Sequence, residues 1–305
     1  MSDNSTRREE MVRYQVAARG VRSEQVLEAM RSVPREEFLP DNLREFAYED
    51  SPLPIAAGQT ISQPYIVAFM VEALNLRGGE RVLEIGAGSG YAAAILAQIA
   101  ARVYSIERIG ELAKGAAATL ARLGYDNVEI RHADGTRGWP EQAPFDAIVV
   151  AAGGPEVPES LKQQMKIGGR LIIPIGSTPE IQELVRVTRV LEDEFEMEDL
   201  ADVRFVPLLG EEGWAPDTQP ARARKRPAAA DRDAALVDAI ADGCEPFNSV
   251  KSANLEPLLD RIGDARIVLI GEATHGTSEF YRMRNRITTE LIRKKGFRFV
   301  SIEGD

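Results

Sequence analysis

The strongest constraint in this chain is a rhythm that runs from residue 80 to residue 175. Short runs that are apolar on both faces, RVLEI (81–85), RVYSI (102–106), VEIRHA (128–133), FDAIVVAA (145–152) and GRLIIPI (169–175), alternate with segments that read as helices. Those segments are the alanine-rich stretches 91–100 and 111–123 and a helix around 158–165 opened by Pro158. A half-buried strand alternates apolar and polar residues, whereas a strand covered on both faces does not. Both-face strands separated by helices fold as a parallel sheet with helices on each side, the doubly wound α/β class. After Ile175 the helices drop out. QELVRVTRV (182–190) alternates at period two and FVPLL (205–209) follows, which predicts an antiparallel finish on a mostly parallel sheet.

The flanks differ from this middle. In the first forty residues Val12, Val16, Val26, Leu27 and Met30 form a helical stripe broken at Arg19-Gly20, with Ser23 as the expected cap of the second helix and Pro34 and Pro40 ending it. Residues 214–231 hold three prolines and the basic cluster Arg222, Arg224, Lys225 and Arg226, and read as a solvated linker. The expected organisation is a first domain over 1–213, with N-terminal helices in 1–45 and a sheet over about 80–210, and a partial α/β segment over 232–305. That segment offers a helix around 233–242, the strand RIVLIG (266–271), a helix over about 279–294 and the strand FRFVSIE (297–303), without the neighbours a buried parallel strand needs. It therefore reads as a truncated fusion.

Composition removes several functions. Acids exceed bases by 48 to 37, a formal charge of −11, so the chain's overall field disfavours nucleic acid and anionic membrane as partners. One cysteine, Cys244, permits no intrachain disulfide and suits a reducing cytoplasm. Two histidines, His132 and His275, argue against a multi-histidine metal site, and none is expected. His132 lies within a predicted strand, where a core or sheet-surface role is the expectation. No uninterrupted apolar run approaches the length of a membrane span, and the polar N-terminus does not read as a secretory signal.

The chemistry concentrates at Glu84-Ile85-Gly86-Ala87-Gly88-Ser89-Gly90, directly after one strand and before a helix. Glycine lets backbone turn tightly and approach a ligand without a Cβ between them. The dinucleotide fingerprint wants a third small residue at position 91, which holds Tyr91, and no lysine follows as in a phosphate-cradling loop. The loop thus suits a ligand that needs close backbone contact but carries no pyrophosphate. Glu107 ends the next strand, about twenty residues on, where an acid in this topology holds the two hydroxyls of a ribose. Asp134 ends the third strand, ahead of Gly135, and could accept a hydrogen bond from an exocyclic amine such as adenine N6. Three successive strand ends around one crevice predict a nucleoside site.

These residues resemble the cofactor loop of class I S-adenosylmethionine methyltransferases. AYEDSPLPIAAGQTISQPYIVAFMVEAL (47–74), PFDAIVVAAG (144–153) and RFVPLLG (204–210) narrow the resemblance to the protein-L-isoaspartate (D-aspartate) O-methyltransferases over about residues 8–213. Gln59-Thr60-Ile61-Ser62-Gln63-Pro64 is particular to that family; Ala56-Ala57-Gly58 departs from its more usual glycine and aromatic. The resemblance implies a seven-stranded sheet, S-adenosyl-L-methionine as cofactor, and methyl transfer to the side-chain carboxylate of isoaspartyl residues in damaged proteins and peptides. It also implies that Thr60 and Ile61 border the cofactor, that Glu84 lies near its methionine end, and that backbone amides near Val206-Pro207 touch the substrate. A carboxylate acceptor is already ionised at neutral pH and needs no general base, so Ser62 is expected to orient the acceptor rather than attack. Methylation of another carboxylate or small molecule, or cofactor binding without transfer, are the alternatives. A monomer is expected.

Gly271-Glu272-Ala273-Thr274-His275-Gly276-Thr277 resembles the opening of the erythromycin esterase-like family over about 266–305. In that family the matching histidine is the proposed base, which carries over to His275 with Glu272 and Glu303 as supporting acids. So short a segment lacks the walls that orient a base, and esterase activity is not expected.

Overall fold

In a computed structural model the described residues are 4–178, 181–215, 250, 253–263, 265, 268 and 278–297. The apolar stripe at the N-terminus folds as α1 (Asn4–Met11), a π-helical turn over Val12–Val16 and α2 (Glu24–Ser32), which bury Met11, Val12, Val16, Val26, Leu27 and Met30. The break comes where the stripe is interrupted, at Gly20, which ends a short 3-10 turn in the left-handed region (φ 105°). Ser23 does stand at the start of α2, but its hydroxyl caps nothing there. Instead Glu72, from α3 (Pro64–Ala73), accepts the backbone N–H of both Arg22 and Ser23 at 2.6 Å. A carboxylate brought by the fold has replaced the local cap, and only the tertiary structure could supply it. Between α2 and α3, β1 (Leu53–Pro54) and β2 (Thr60–Ile61) pair as a small antiparallel ribbon.

The rhythm of the middle region becomes β3 (Arg81–Ile85), α4 (Tyr91–Ala97), β4 (Arg102–Glu107), α5 (Gly110–Arg122), β5 (Val128–His132), β6 (Phe145–Val150), α6 (Glu159–Gln163), β7 (Met165–Thr178), β8 (Ile181–Arg189) and β9 (Phe195–Val203). Seven of these strands form one sheet in the order β5-β4-β3-β6-β7-β8-β9, parallel up to β7 and antiparallel after it. The doubly wound reading is therefore correct, and the both-face burial behind it is visible in single strands. Val82 and Val103 pack into a cluster with α2, α3 and α4, while Leu83, Ile85 and Ile106 pack into the opposite one with Leu161 of α6. Strand order reverses between β3 and β6, so the crevice beyond the tips of β3, β4 and β6 is where a ligand site forms in such a sheet.

The finish of the sheet corrects one expectation. FVPLL is not a strand; Pro207 and Leu209 make only isolated bridges, to Gly153 and Trp214. The last strand is β9, whose sequence FEMEDLADV is largely exposed and carries Glu196, Glu198, Asp199 and Asp202. As an edge strand it sends only Phe195, Leu200 and Val203 inward, a spacing without apolar alternation, which is why none announced it. FVPLL is apolar for a different reason: it crosses the strand tips, with Gly153 N–H donating to Val206 O, Leu208 N–H to Gly153 O, and Gln182 holding both backbone groups of Phe205. Trp214, placed by sequence at the start of the linker, is bound to this same body through its amide to Leu208 O and its indole N–H to Gly153 O, at 2.8 and 2.9 Å.

The chain divides into two units, Met1–Arg222 and Ala223–Asp305. In the second, the helix expected over 279–294 is α8 (Ser278–Lys295), and α7 (Glu256–Ile262) precedes it. The Arg286 guanidinium on α8 donates to the carbonyls of Val250 and Ala253. The helix expected around 233–242 and the strands expected over 266–271 and 297–303 lie, but for isolated positions, outside the described residues, as does nearly all of the linker. No helix among the described residues is long and apolar enough to cross a membrane.

Candidate active site

At the tip of β3 the backbone turns through Gly86, Gly88 and Gly90, all at positive φ (94°, 55° and 92°). Gly86 N–H donates to Ile106 O at 2.8 Å, which ties the turn to β4. Gly90 is the N-cap of α4, and a Cβ there would press on Ala116 and Leu120 of α5 at 3.3 and 3.2 Å. It is a packing glycine and does not face the crevice.

The crevice encloses about 870 Å³, solvent at its mouth included. Gly86, Ala87, Gly88 and Ser89 form one part of its wall, Glu107 another, Gly135 a third, and Thr60, Ile61, Ser62, Val206 and Pro207 complete it. Segments far apart in sequence thus meet in one place. Three expected residues stand off the wall: Glu84, Gly90 and Asp134.

Glu107 is nearly buried (6% exposed) and held from two sides. Its Oε2 accepts Gly88 N–H and its Oε1 accepts Ile109 N–H, both at 2.9 Å. A carboxylate offers about four lone-pair positions, so two remain for donors in the crevice. His132 supports the same loop from outside: it is exposed, and its Nε2 lies 3.0 Å from Arg108 O. Both oxygens of Asp134 are engaged, with one acceptor position left on Oδ2. Oδ1 accepts from the amide and hydroxyl of Thr136, and Oδ2 from Glu211 N–H. In this structure it clamps the 207–214 crossing segment, while its neighbour Gly135 forms the wall. A Cβ on Gly135 would come within 2.4 Å of Ile85 Cγ2.

Glu84 is buried beside the crevice (1% exposed), one strand inward from Glu107. The Ser105 hydroxyl donates to its Oε2, and Oε1 has no partner among the described residues. Burial pushes its carboxyl up to about 7, with the Glu107 charge adding to the rise and the Ser105 hydrogen bond opposing it. Of the amides near Pro207, that of Phe205 goes to Gln182 and that of Leu208 to Gly153, and proline has none. Val206 N–H is the amide left over among the described residues.

Sequence reasoning missed further wall residues: Gln59, Arg108, Ile109, Ala151, Ala152, Leu208 and Leu209. Ala151 and Ala152 follow β6, whose tip borders the switch point, so the strand-end rule that found Glu107 could have found them. Glu272, His275 and Glu303 lie outside the described residues. No group of acids, histidines or cysteines among the described residues could hold a metal ion.

The wall fits a nucleoside bearing a short polar chain. A Cβ-free loop permits close approach, a pinned carboxylate has acceptor positions for paired hydroxyls, and apolar side chains such as Ile61 and Leu112 alternate with the polar Thr60, Ser62 and Ser89 around the rest. Comparison with known proteins agrees. A protein-L-isoaspartate O-methyltransferase of Rhodopseudomonas palustris (strain HaA2) is 65% identical over 219 residues, covering 70% of this chain and 89% of the relative. One from Pelobacter propionicus is 59% identical, covering 68% and 92%. A solved protein-L-isoaspartate O-methyltransferase structure superposes at TM-score 0.62 with 32% identity, covering 67% of each chain. Another, from Plasmodium falciparum and in complex with S-adenosyl-L-homocysteine, does so at 0.58 with 27% identity, covering 66% of this chain and 98% of that one. The family profile described as protein-L-isoaspartate(D-aspartate) O-methyltransferase matches residues 6–213, and through those residues this chain belongs to that family.

Proposed function

We propose that the first unit methylates the side-chain carboxylate of L-isoaspartyl residues in damaged proteins and peptides, a repair reaction that uses S-adenosyl-L-methionine. The observation that carries this reading is the meeting of Ser62, the glycine loop and the pinned Glu107 on one crevice. When bound, the cofactor supplies a methyl group on a sulfonium; the carboxylate oxygen takes the methyl, and the carbon–sulfur electron pair returns to sulfur. Glu107 holds the ribose hydroxyls, and the loop Gly86–Ser89 receives the rest of the nucleoside by close backbone approach. Thr60 and Ile61 border it, Gly135 leaves room for the base, and Asp134 and Glu84 act from behind the wall. The acceptor is ionised without help, so the protein's work is alignment and exclusion of water. The Ser62 hydroxyl and the Val206 amide donate to the acceptor, placing its oxygen toward the methyl.

The acceptor identity is tested by transfer of tritiated methyl to an isoaspartyl peptide and to its normal aspartyl twin. Label on the first alone is expected; label on both equally, or on neither, overturns the proposal. We further infer a monomeric, cytoplasmic enzyme that takes no nucleic acid or membrane partner, on the strength of its charge and single cysteine. For residues 232–305 the motif around Glu272, His275 and Glu303 supports a partial esterase-like segment without hydrolase activity, joined through the 214–231 linker. Limited proteolysis that trims the chain rapidly to near residue 215 supports this, and a protected tail argues against it.

A further inference from the structure

Arg35 is fully buried (0% exposed), in the short 3-10 turn Arg35–Phe38 that follows α2. Its Nη2 donates to the Ser62 backbone carbonyl at 2.8 Å. Its guanidinium carbon sits 4.8 Å from the centre of the Tyr91 ring, and Tyr91 is itself part of the crevice wall. The other two nitrogens, Nε and Nη1, have no hydrogen-bond partner among the described residues. The acids of this corner are engaged elsewhere. Glu36 accepts the Tyr48 hydroxyl, and Asp50 accepts Arg19, Gln63 and the Tyr65 amide.

A buried guanidinium without a carboxylate is costly, because arginine stays protonated and its desolvation is unrelieved. A fold keeps such a charge where something anionic completes it. Here the charge stands directly behind the serine that faces the crevice, and no resident acid hydrogen-bonds it; Asp50, already paired with Arg19, acts on it only through space.

We propose that Arg35 is a positioning residue: it fixes Ser62 through the carbonyl and supplies, from behind, the positive field that selects an anionic acceptor over a neutral one. This rests on the methyl-transfer reading above. Two functions separate within one side chain. Charge sets which acceptor binds, and the hydrogen bond to Ser62 sets how well that acceptor is aligned.

The test uses the full chain with S-adenosylhomocysteine present. Calorimetry compares an isoaspartyl peptide with the same peptide bearing a neutral carboxamide in place of that carboxylate. Wild type is expected to prefer the acid. In Arg35→Met that acid-to-amide preference is expected to fall roughly tenfold, the scale of one partly screened charge interaction, while affinity for S-adenosylhomocysteine stays within about twofold. Arg35→Lys, which keeps the charge but not the planar fork, is expected to retain the preference and lose roughly tenfold in kcat with little change in peptide KM. An unchanged preference in Arg35→Met, or a Lys variant with either full turnover or a lost preference, overturns the inference. Should Arg35→Met fail to fold, the Lys variant decides alone. Equal binding of acid and amide by wild type also overturns it, whereas wild type binding neither peptide overturns the methyl-transfer reading itself.

Discussion

Glu84 gives the most exposed prediction, since it turns a buried carboxyl into a stability profile. In the folded chain it titrates near 7 instead of its ordinary 4.5, chiefly because burial disfavours the ion. That displacement is worth roughly 3 kcal/mol at about 1.4 kcal/mol per pH unit. Below pH 4.5 the group is protonated folded and unfolded, and the stabilisation is fully present. Between 4.5 and about 7 the unfolded chain releases the proton while the folded chain keeps it, so stability falls as pH rises. Above about 7 the loss is complete. Glu84→Gln stands in for the protonated form at every pH. Its stability relative to wild type is therefore flat in acid and grows in the variant's favour by roughly 3 kcal/mol by about pH 8, or roughly 6–12 °C in midpoint for a unit of this size. Both tryptophans, Trp139 and Trp214, lie in the first unit, so their fluorescence during thermal unfolding reports that unit alone. A difference that does not change with pH, or one that turns against the variant above neutrality, rules out a buried Glu84 carboxyl that stays protonated to about 7.

Three further outcomes follow from the crevice. Ser62→Ala should leave cofactor affinity within about twofold and lower kcat by about 10- to 100-fold, the worth of one hydrogen bond to a charged group; lost cofactor binding in a calorimetric titration contradicts its role. Glu107→Gln should weaken cofactor binding about 100-fold, since it removes charge from an acceptor of two hydroxyls, and equilibrium titration reads this directly. Gly135→Ala should cost about 1–3 kcal/mol in denaturant unfolding, because the new methyl meets Ile85 Cγ2 at 2.4 Å and must displace it.

How far the sequence carried depends on which force wrote each segment. β3, β4 and β6 are buried on both faces, so their burial is written in consecutive residues such as Val82 and Leu83, which enter opposite clusters. Their tips, and with them Glu107 and the glycine loop, were legible for the same reason. β9 was not, because only Phe195, Leu200 and Val203 pack inward along it and a register shift breaks their spacing. Ser23 shows a different failure: the residue type predicts a cap, but Glu72, some fifty positions away, takes the amides first. Asp134 was placed by the same strand-end logic, but its second task, holding the Glu211 amide, comes from a segment some seventy-seven positions away and could not be read locally. Arg35 left no signal, since nothing local distinguishes a buried arginine from a solvated one.

The row of carboxylates along β9 has a bearing on what happens between molecules. Its outer backbone donors and acceptors face no further strand among the described residues, so any extended peptide, including one borrowed from a second copy or from an unfolded client, is offered a docking rail. Glu196, Glu198, Asp199 and Asp202 surround that rail with like charge, and a second copy would bring the same four against them. The acid fringe thus disfavours pairing of two such edges, copy against copy.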